Sequence, residues 1–129
     1  MREIKFRFWH KEDKQFFSPW SRGWRFEGEN GQMYVNGMNV TERCEIMQYT
    51  GLKDRNGVEL YDGDFFQEED RLYLVQWDSK RAQYVAKVVE TKYVLTRGLS
   101  FPLWQYADNV MIQIAGNIYE HPHLLTKEE

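Results

Sequence analysis

Cysteine is nearly missing from this chain of 129 residues: Cys44 stands alone. One thiol makes no internal disulfide and no cysteine-built metal site, which fits a reducing compartment. Long apolar runs are missing as well. The opening "MREIKFRFWHKEDK" alternates and is charged, unlike a signal peptide. Nothing approaches the roughly 20 apolar residues of a membrane helix, so the expectation is a soluble, cytoplasmic protein with no membrane partner. Neither charge dominates, with 17 Lys and Arg against 20 Asp and Glu and a net charge of -3. The balance is uneven: residues 1–40 hold seven basic and five acidic side chains, the remainder ten and fifteen. A general nucleic-acid footprint needs a stronger basic excess, which leaves room only for a local patch. No GxxxxGK or GxGxxG phosphate loop occurs, and there is no repeat, low-complexity segment or long linker.

What the chain has in quantity is aromatic side chains. Eight Phe, eight Tyr and five Trp make up 16% of it, within an apolar share of 42%. Flat, wide rings suit pleated sheets, and this apolar share is that of a globular chain. The length suits one domain or two small parts sharing a core. Short strands are predicted throughout. "EIKFRFW" (Glu3–Trp9) sets Ile4, Phe6 and Phe8 against Lys5 and Arg7. "FFSPW" is a second strand closed by Pro19, and hairpin strands lie near Trp24–Glu27 and Met33–Val35, with turns at Glu29-Asn30-Gly31 and Asn36-Gly37. Strands follow at Cys44–Thr50, Arg71–Asp78 and Ala82–Arg97, where Tyr93–Leu95 either continues the strand or begins the next. In Arg71–Asp78, Leu72 and Leu74 oppose Tyr73 and Val75, so both faces are apolar. Ser100 as a cap and Pro102 in the first turn predict a short helix near residues 101–108, with Leu103, Trp104 and Ala107 on one face. Val110–Glu120 returns to strand, and "HPHLL" is a turn or one helical turn. Many short strands broken by glycine turns imply a small barrel or packed sheets. The charge balance changes near residues 40–47, the one candidate boundary.

The stretch "TGLKDRNGVELYDGDFF" (Thr50–Phe66) concentrates four acidic groups, Asp54, Glu59, Asp62 and Asp64, around two glycine turns. A calcium loop needs carboxylates at positions 1, 3, 5 and 12 and glycine at 6. With Gly57 at position 6, the end positions fall on Leu52 and Gly63; starting at Asp62 puts Phe66 and Gln67 where a ligand and the glycine belong. Both registers fail. Turn chemistry accounts for more: Asn56-Gly57 tolerates positive φ, Asp54 bonds nearby N–H groups, and "YDGD" makes a second reversal.

Other residue types that carry chemistry are sparse. His121 and His123 flank Pro122 and lack a third ligand, with His10 distant in sequence. Cys44 sits in a strand pattern as a buried apolar residue. The carboxylates of "QEEDR" (Gln67–Arg71) and "YDGD" offer several groups for acid–base work, the basis of a weak hydrolase alternative. Basic and aromatic residues interleave in the N-terminal third. Lys5, Arg7, Trp20, Arg22, Trp24 and Arg25 would form a face for single-stranded nucleic acid if they gather; alternation otherwise turns the rings inward and the charges outward.

"MQYTGLKDRNGVELYDGDFF" (Met47–Phe66) closely resembles the hallmark of the YopX family, small proteins of bacteriophages and prophages. "IKFRFWHKEDKQFF" is similar to the family's opening, with Phe8-Trp9-His10 where Ala-Trp-Asp is usual, and "GNIYEHPHLL" (Gly116–Leu125) is similar to its close. The segment Ser18–Met38 is the least family-like. The resemblance implies a mainly β fold: two closely associated parts in a pseudo-barrel, residues 1–46 as a β-rich N-terminal part and 47–129 as an SH3-like C-terminal part with a short capping helix. It carries no catalytic residue, no metal and no cofactor. The matching positions Gly51, Asn56, Gly57, Tyr61, Gly63 and Asp64 read as turn-shaping residues. The function expected is a non-enzymatic phage or prophage accessory module in the bacterial host's cytoplasm. It binds an unknown protein partner of phage or host, with nucleic acid as the alternative and pairing between copies left open by exposed strand edges.

Overall fold

The computed structural model describes residues 3–17, 24–106 and 111–125. It is mainly β, and among these residues the only helical elements are short 3-10 turns. In chain order the strands are β1 (Phe6–His10), β2 (Gln15–Phe17), β3 (Trp24–Glu27), β4 (Gln32–Val35), β5 (Met38–Asn39), β6 (Cys44–Lys53), β7 (Glu59–Tyr61), β8 (Asp64–Glu68), β9 (Arg71–Asp78), β10 (Gln83–Glu90), β11 (Ser100–Pro102) and β12 (Gln113–Asn117). The chain divides into two compact units, one of Lys5–Gln48 and one of Met1–Ile4 with Tyr49–Glu129.

In the unit Lys5–Gln48, β1 pairs antiparallel with β2 and with the first half of β6. The meander β3–β4–β5 forms a second small sheet. Asn36 and Gly37 join β4 to β5 with φ of 49° and 85°, the two successive positive values that match the twist of a tight hairpin. Phe8, Met33, Val40 and Cys44 are buried between these strands, with Phe6, Phe17, Trp24, Phe26, Val35 and Ile46 packed around them. Phe26 stands edge-on to both Phe6 and Phe8, with ring centroids 5.2 Å apart in each case. The strand expected from Glu3 begins only at Phe6. Its ladder with β6 ends at the Phe6–Gln48 pair, and Ile4, beyond it, is 68% exposed.

In the second unit, five antiparallel strands in the order β11-β10-β9-β8-β12 curl into a half-barrel sheet. β7 pairs with the second half of β6. The sheet is apolar on both faces because side chains alternate along each strand. Phe66, Tyr73, Val75, Ala86 and Val88 form one face, covered by Leu60, Leu103, Tyr106 and Ile112. Phe65, Leu72, Leu74 and Val89 form the other, against Ile118, Leu124 and Leu125. Irregularities in β10 between Val88 and Glu90 and in β12 between Ile114 and Gly116 add the local twist that a curling sheet requires.

Two segments depart from the predicted elements. The strand over Ala82–Arg97 stops at Glu90, and Val94–Thr96 forms a 3-10 turn. The buried Thr91 hydroxyl donates to Asp70 Oδ2 at 3.0 Å and accepts from the Tyr93 N–H. That bond turns the chain away from the sheet and leaves Tyr93, Val94 and Leu95 exposed. The helix predicted near 101–108 is replaced by β11 and a 3-10 turn at Leu103–Tyr106, with residues 107 and 108 outside the described ones. Pro102 is the last residue paired with β10, opposite Val85. An edge strand tolerates its missing N–H, so pairing overrides the capping signal of Ser100. With about three residues per turn, Leu103 and Tyr106 share the buried side and Trp104 faces outward.

The end of the chain rests on one close approach. His121 Nδ1 accepts the Asn117 N–H at 3.2 Å, and the His121 ring lies where a Gly116 side chain would be, 2.5 Å from an added Cβ. Gly116 also has φ of 148°. Asn117 is buried and satisfied: its amide donates to Glu120 at 2.8 Å and its oxygen accepts from the Tyr119 and Glu120 N–H groups. Gly116→Ala therefore combines backbone strain with a displaced ring. The expected loss is about 1–3 kcal/mol in denaturant unfolding; an unchanged midpoint would contradict this packing.

Candidate functional site

The acidic stretch is built of backbone hooks. Asp54 Oδ1 accepts the N–H groups of Asn56 at 2.8 Å and Val58 at 3.0 Å, and Oδ2 accepts that of Ile114 at 3.0 Å. Asp54 is buried. Burial opposes its ionisation, but the Ile114, Val58 and Asn56 N–H groups and the nearby Arg55 outweigh that and hold its carboxyl below the ordinary range. Asn56 and Gly57 turn the chain beneath this carboxylate, with Gly57 at φ 79°. Gly51, at φ 95°, lies in the irregularity of the β6–β7 ladder. Asp64, almost fully buried, accepts the Tyr61 N–H on Oδ2 at 2.8 Å. Gly63 between them, at φ 89°, gives its N–H to Val75 and its carbonyl to the Ile118 N–H. The Tyr61 hydroxyl donates to Glu59 at 3.2 Å.

The basic and aromatic residues of the N-terminal third are divided by strand alternation. Phe6 and Phe26 meet in the core, and their neighbours Arg7 and Arg25 lie on the other faces of their strands, Arg7 half-buried beside the buried Met47 and Arg25 exposed. The Arg7 guanidinium lies over Phe16 at 4.6 Å with Nη2 3.4 Å from the Met47 sulfur. Arg25 lies over Tyr34 at 4.6 Å and pairs with Glu27 at 2.9 Å. Lys5 is half-buried. Trp24 lines a small cavity with His10, Val35, Met38, Val40 and Arg43, of about 230 Å3. Trp20 and Arg22 lie outside the described residues.

A different group of aromatics gathers on the other unit. A groove of about 190 Å3 is lined by Thr50 and Leu52 from β6, Gln83 and Tyr84 from β10, and Leu103 and Trp104 from the 3-10 turn. Trp104 is 67% exposed. Tyr84 sits directly opposite Trp77 in the β9–β10 ladder, their rings edge-on at 5.0 Å, and Trp77 is 50% exposed. No charged residue is among the lining residues. The Thr50 hydroxyl is committed, donating to the Leu60 carbonyl at 2.8 Å and accepting the Leu52 N–H. Sequence reasoning missed this set. The Trp77–Tyr84 pairing is readable from the hairpin; the outward turn of Trp104 is not, because a helical period of 3.6 places it on the core side.

The carboxylates considered for acid–base chemistry line neither of these cavities. Burial raises the Asp62 carboxyl, and burial with Glu69 nearby raises Glu68 against the opposing charge of Arg71. Asp70 is engaged by Thr91. Burial and a hydrogen bond with Tyr73 push the Tyr106 phenol up, and Arg71 Nη1 donates to the Tyr73 hydroxyl at 3.4 Å. His121 has Nδ1 occupied by the Asn117 N–H and its ring 6.1 Å from that of His123. Cys44 is buried, and burial raises its thiol. Among the described residues, no group of three His, Cys, Asp or Glu could hold a metal ion, and no helix is long and apolar enough to cross a membrane.

Comparison with known proteins places these features in context. The profile of one family, described as YopX protein, matches residues 5–126. Among solved structures, the chain is similar to the crystal structure of protein EF1440 from Enterococcus faecalis, at 20% identity and a TM-score of 0.57, over 97% of this chain and 99% of that one. At that identity the likeness concerns the fold alone. No curated protein matches the chain.

Asp54 supplies the first test of the turn stretch. Its folded pKa is depressed, so its contribution is present above the unfolded value, about 3.9, and is lost as pH falls through the folded value. Asp54→Asn is expected to cost about 1–3 kcal/mol at pH 7, the scale of hydrogen bonds to a charged group. The gap from the unsubstituted protein should close at more acidic pH. A gap that persists unchanged down to pH 2 would contradict the ionised hook.

Proposed function

The chain belongs to the YopX protein family, and from that premise we propose that it is a non-enzymatic phage or prophage accessory module that binds a protein partner through the groove around Trp104. One observation carries this reading: Tyr84 and the exposed Trp104 line a groove whose lining holds no charged side chain, and a second exposed tryptophan, Trp77, packs edge-on against Tyr84. Exposed rings beside an uncharged centre are the composition that separates protein interfaces from ordinary surface. Trp and Tyr offer large contact area with little side-chain freedom to lose. The curled five-stranded sheet is the SH3-like part in this reading, with the Leu103–Tyr106 turn in the place of the capping helix.

A protein-binding role is favoured over a nucleic-acid one by where the cations lie. Arg7 is half-buried over Phe16, Arg25 lies over Tyr34 and pairs with Glu27, and no cation lines the groove. A hydrolytic role has little support. Asp54 and Asp64 are buried backbone acceptors, and Asp70 is held by Thr91. The module works in the cytoplasm of the bacterial host and uses no cofactor.

Affinity capture from induced or infected host cells tests the reading, with the unsubstituted protein and Trp104→Ser run in parallel. Trp104 is exposed, so the substitution should leave the melting temperature within a degree or two, the effect of about 0.5 kcal/mol or less at surface sites. The expected result is at least one protein retained by the unsubstituted chain and lost by Trp104→Ser. Identical captured sets would remove the groove from the function. Binding to mixed single- and double-stranded probes that weakens steeply as salt rises would favour the nucleic-acid alternative instead.

A further inference from the structure

We propose that His121 is an acid-released latch on the chain's end. At neutral pH its imidazole holds the covering residues Ile118, Leu124 and Leu125 on their face of the sheet, and protonation of the ring loosens them. The latch is a reciprocal pair. The His121 N–H donates to the Asn117 carbonyl at 2.8 Å, and the Asn117 N–H donates to His121 Nδ1 at 3.2 Å. The chain then runs directly into the 3-10 turn Pro122–Leu124, where the Leu124 N–H donates to the His121 carbonyl at 3.1 Å. His121 therefore joins β12 to the side chains that cover the sheet.

The bond to Asn117 requires a neutral ring. A neutral imidazole has one nitrogen that accepts and one that donates, whereas the imidazolium has two donors and no acceptor. Protonation sets an N–H against the N–H of a residue that is only 4% exposed. Turning the ring over sets a C–H against it instead. The ring is also packed on Gly116, 2.5 Å from where a Cβ would stand, and swinging it outward gives up that contact along with the bond. Leaving one buried N–H without an acceptor corresponds to about tenfold or more in the open population.

The acids near the ring are already engaged. Glu120 accepts the Asn117 side-chain amide at 2.8 Å, and Asp64, opposite Asn117 on β8, accepts the Tyr61 N–H. The His123 ring, 6.1 Å away, adds like charge when it protonates. Among the described residues, no ion pair joins His121 to a carboxylate. His10 is the contrasting case. Its Nδ1 accepts the Asp13 N–H at 3.1 Å, but the Asp13 carboxylate lies 3.6 Å from the same nitrogen. A protonated His10 gains an ion pair in exchange for the bond it loses.

Hydrogen exchange of the full chain tests the latch, read by mass spectrometry as the protection of segment 117–125 relative to its unfolded rate at the same pH. Measurements at about pH 7.5 and about pH 5.5 span the range in which histidine changes charge. Asp62 and Glu68, whose carboxyls burial raises, favour the folded chain when they protonate and so do not mimic the loss. The proposal expects protection of the segment to fall about tenfold or more at the lower pH, with β9 and β10 unchanged. His121→Asn keeps a neutral acceptor near the place of Nδ1 and should hold its protection within about twofold. His10→Asn should behave as the unsubstituted protein does. Constant protection in the unsubstituted protein, an equal fall in His121→Asn, or an equal fall across β9 and β10 would each overturn the latch.

Discussion

The Asp54 carboxylate accepts three backbone N–H groups, and one of them, from Ile114, lies sixty residues along the chain. Its other two bonds close the turn between β6 and β7. One ionised group thus ties a local hairpin to the start of β12, the strand at one border of the half-barrel sheet. Asp64 works in the same manner one turn later, holding the Tyr61 N–H while Gly63 bonds β9 and the segment after β12. A buried carboxylate is tolerable only when donors surround it. Here the donors are the main-chain N–H groups that sharp reversals would otherwise leave unsatisfied. Of the four acids that suggest a ligand loop in the sequence, Asp54 and Asp64 are bound already, and their ligand is the chain itself.

That anchoring leaves the sheet free to be apolar on both faces, and the chain must then cover both. Leu60, Leu103, Tyr106 and Ile112 cover one, and Ile118, Leu124 and Leu125 the other. The Leu103–Tyr106 turn is a cover of this kind. Its three-residue period assigns Leu103 and Tyr106 to the core and thereby assigns Trp104 to solvent. The groove is a by-product of that assignment, assembled where the turn passes the ends of β6 and β10.

Local chemistry was the legible part of the fold. Alternation marks β1 and the two-faced β9, where Leu72 and Leu74 oppose Tyr73 and Val75, and Asn36-Gly37 marks a hairpin. Elements decided by distant partners were not legible. β-branched and aromatic residues at 93–95 carry strand propensity, yet among the described residues no neighbouring strand pairs with them. Ser100 and Pro102 carry a helix signal, yet an open edge on β10 pairs with them first. The groove was illegible for the same reason, since its residues come from three separated segments and its decisive member, Trp104, depends on which helical period wins. Asp54 was readable as a turn residue, but its bond to Ile114 was not, because spacing within a turn says nothing about a partner sixty residues on.

Cys44 brings a different consequence. It is the chain's only thiol. It is packed against Phe8, Met33 and Val40, and burial holds it protonated further into the alkaline range than usual. A sulfur so placed reacts with an alkylating reagent only when the Lys5–Gln48 unit opens. The rate of its modification is therefore a clock for the breathing of that unit, read without any introduced probe.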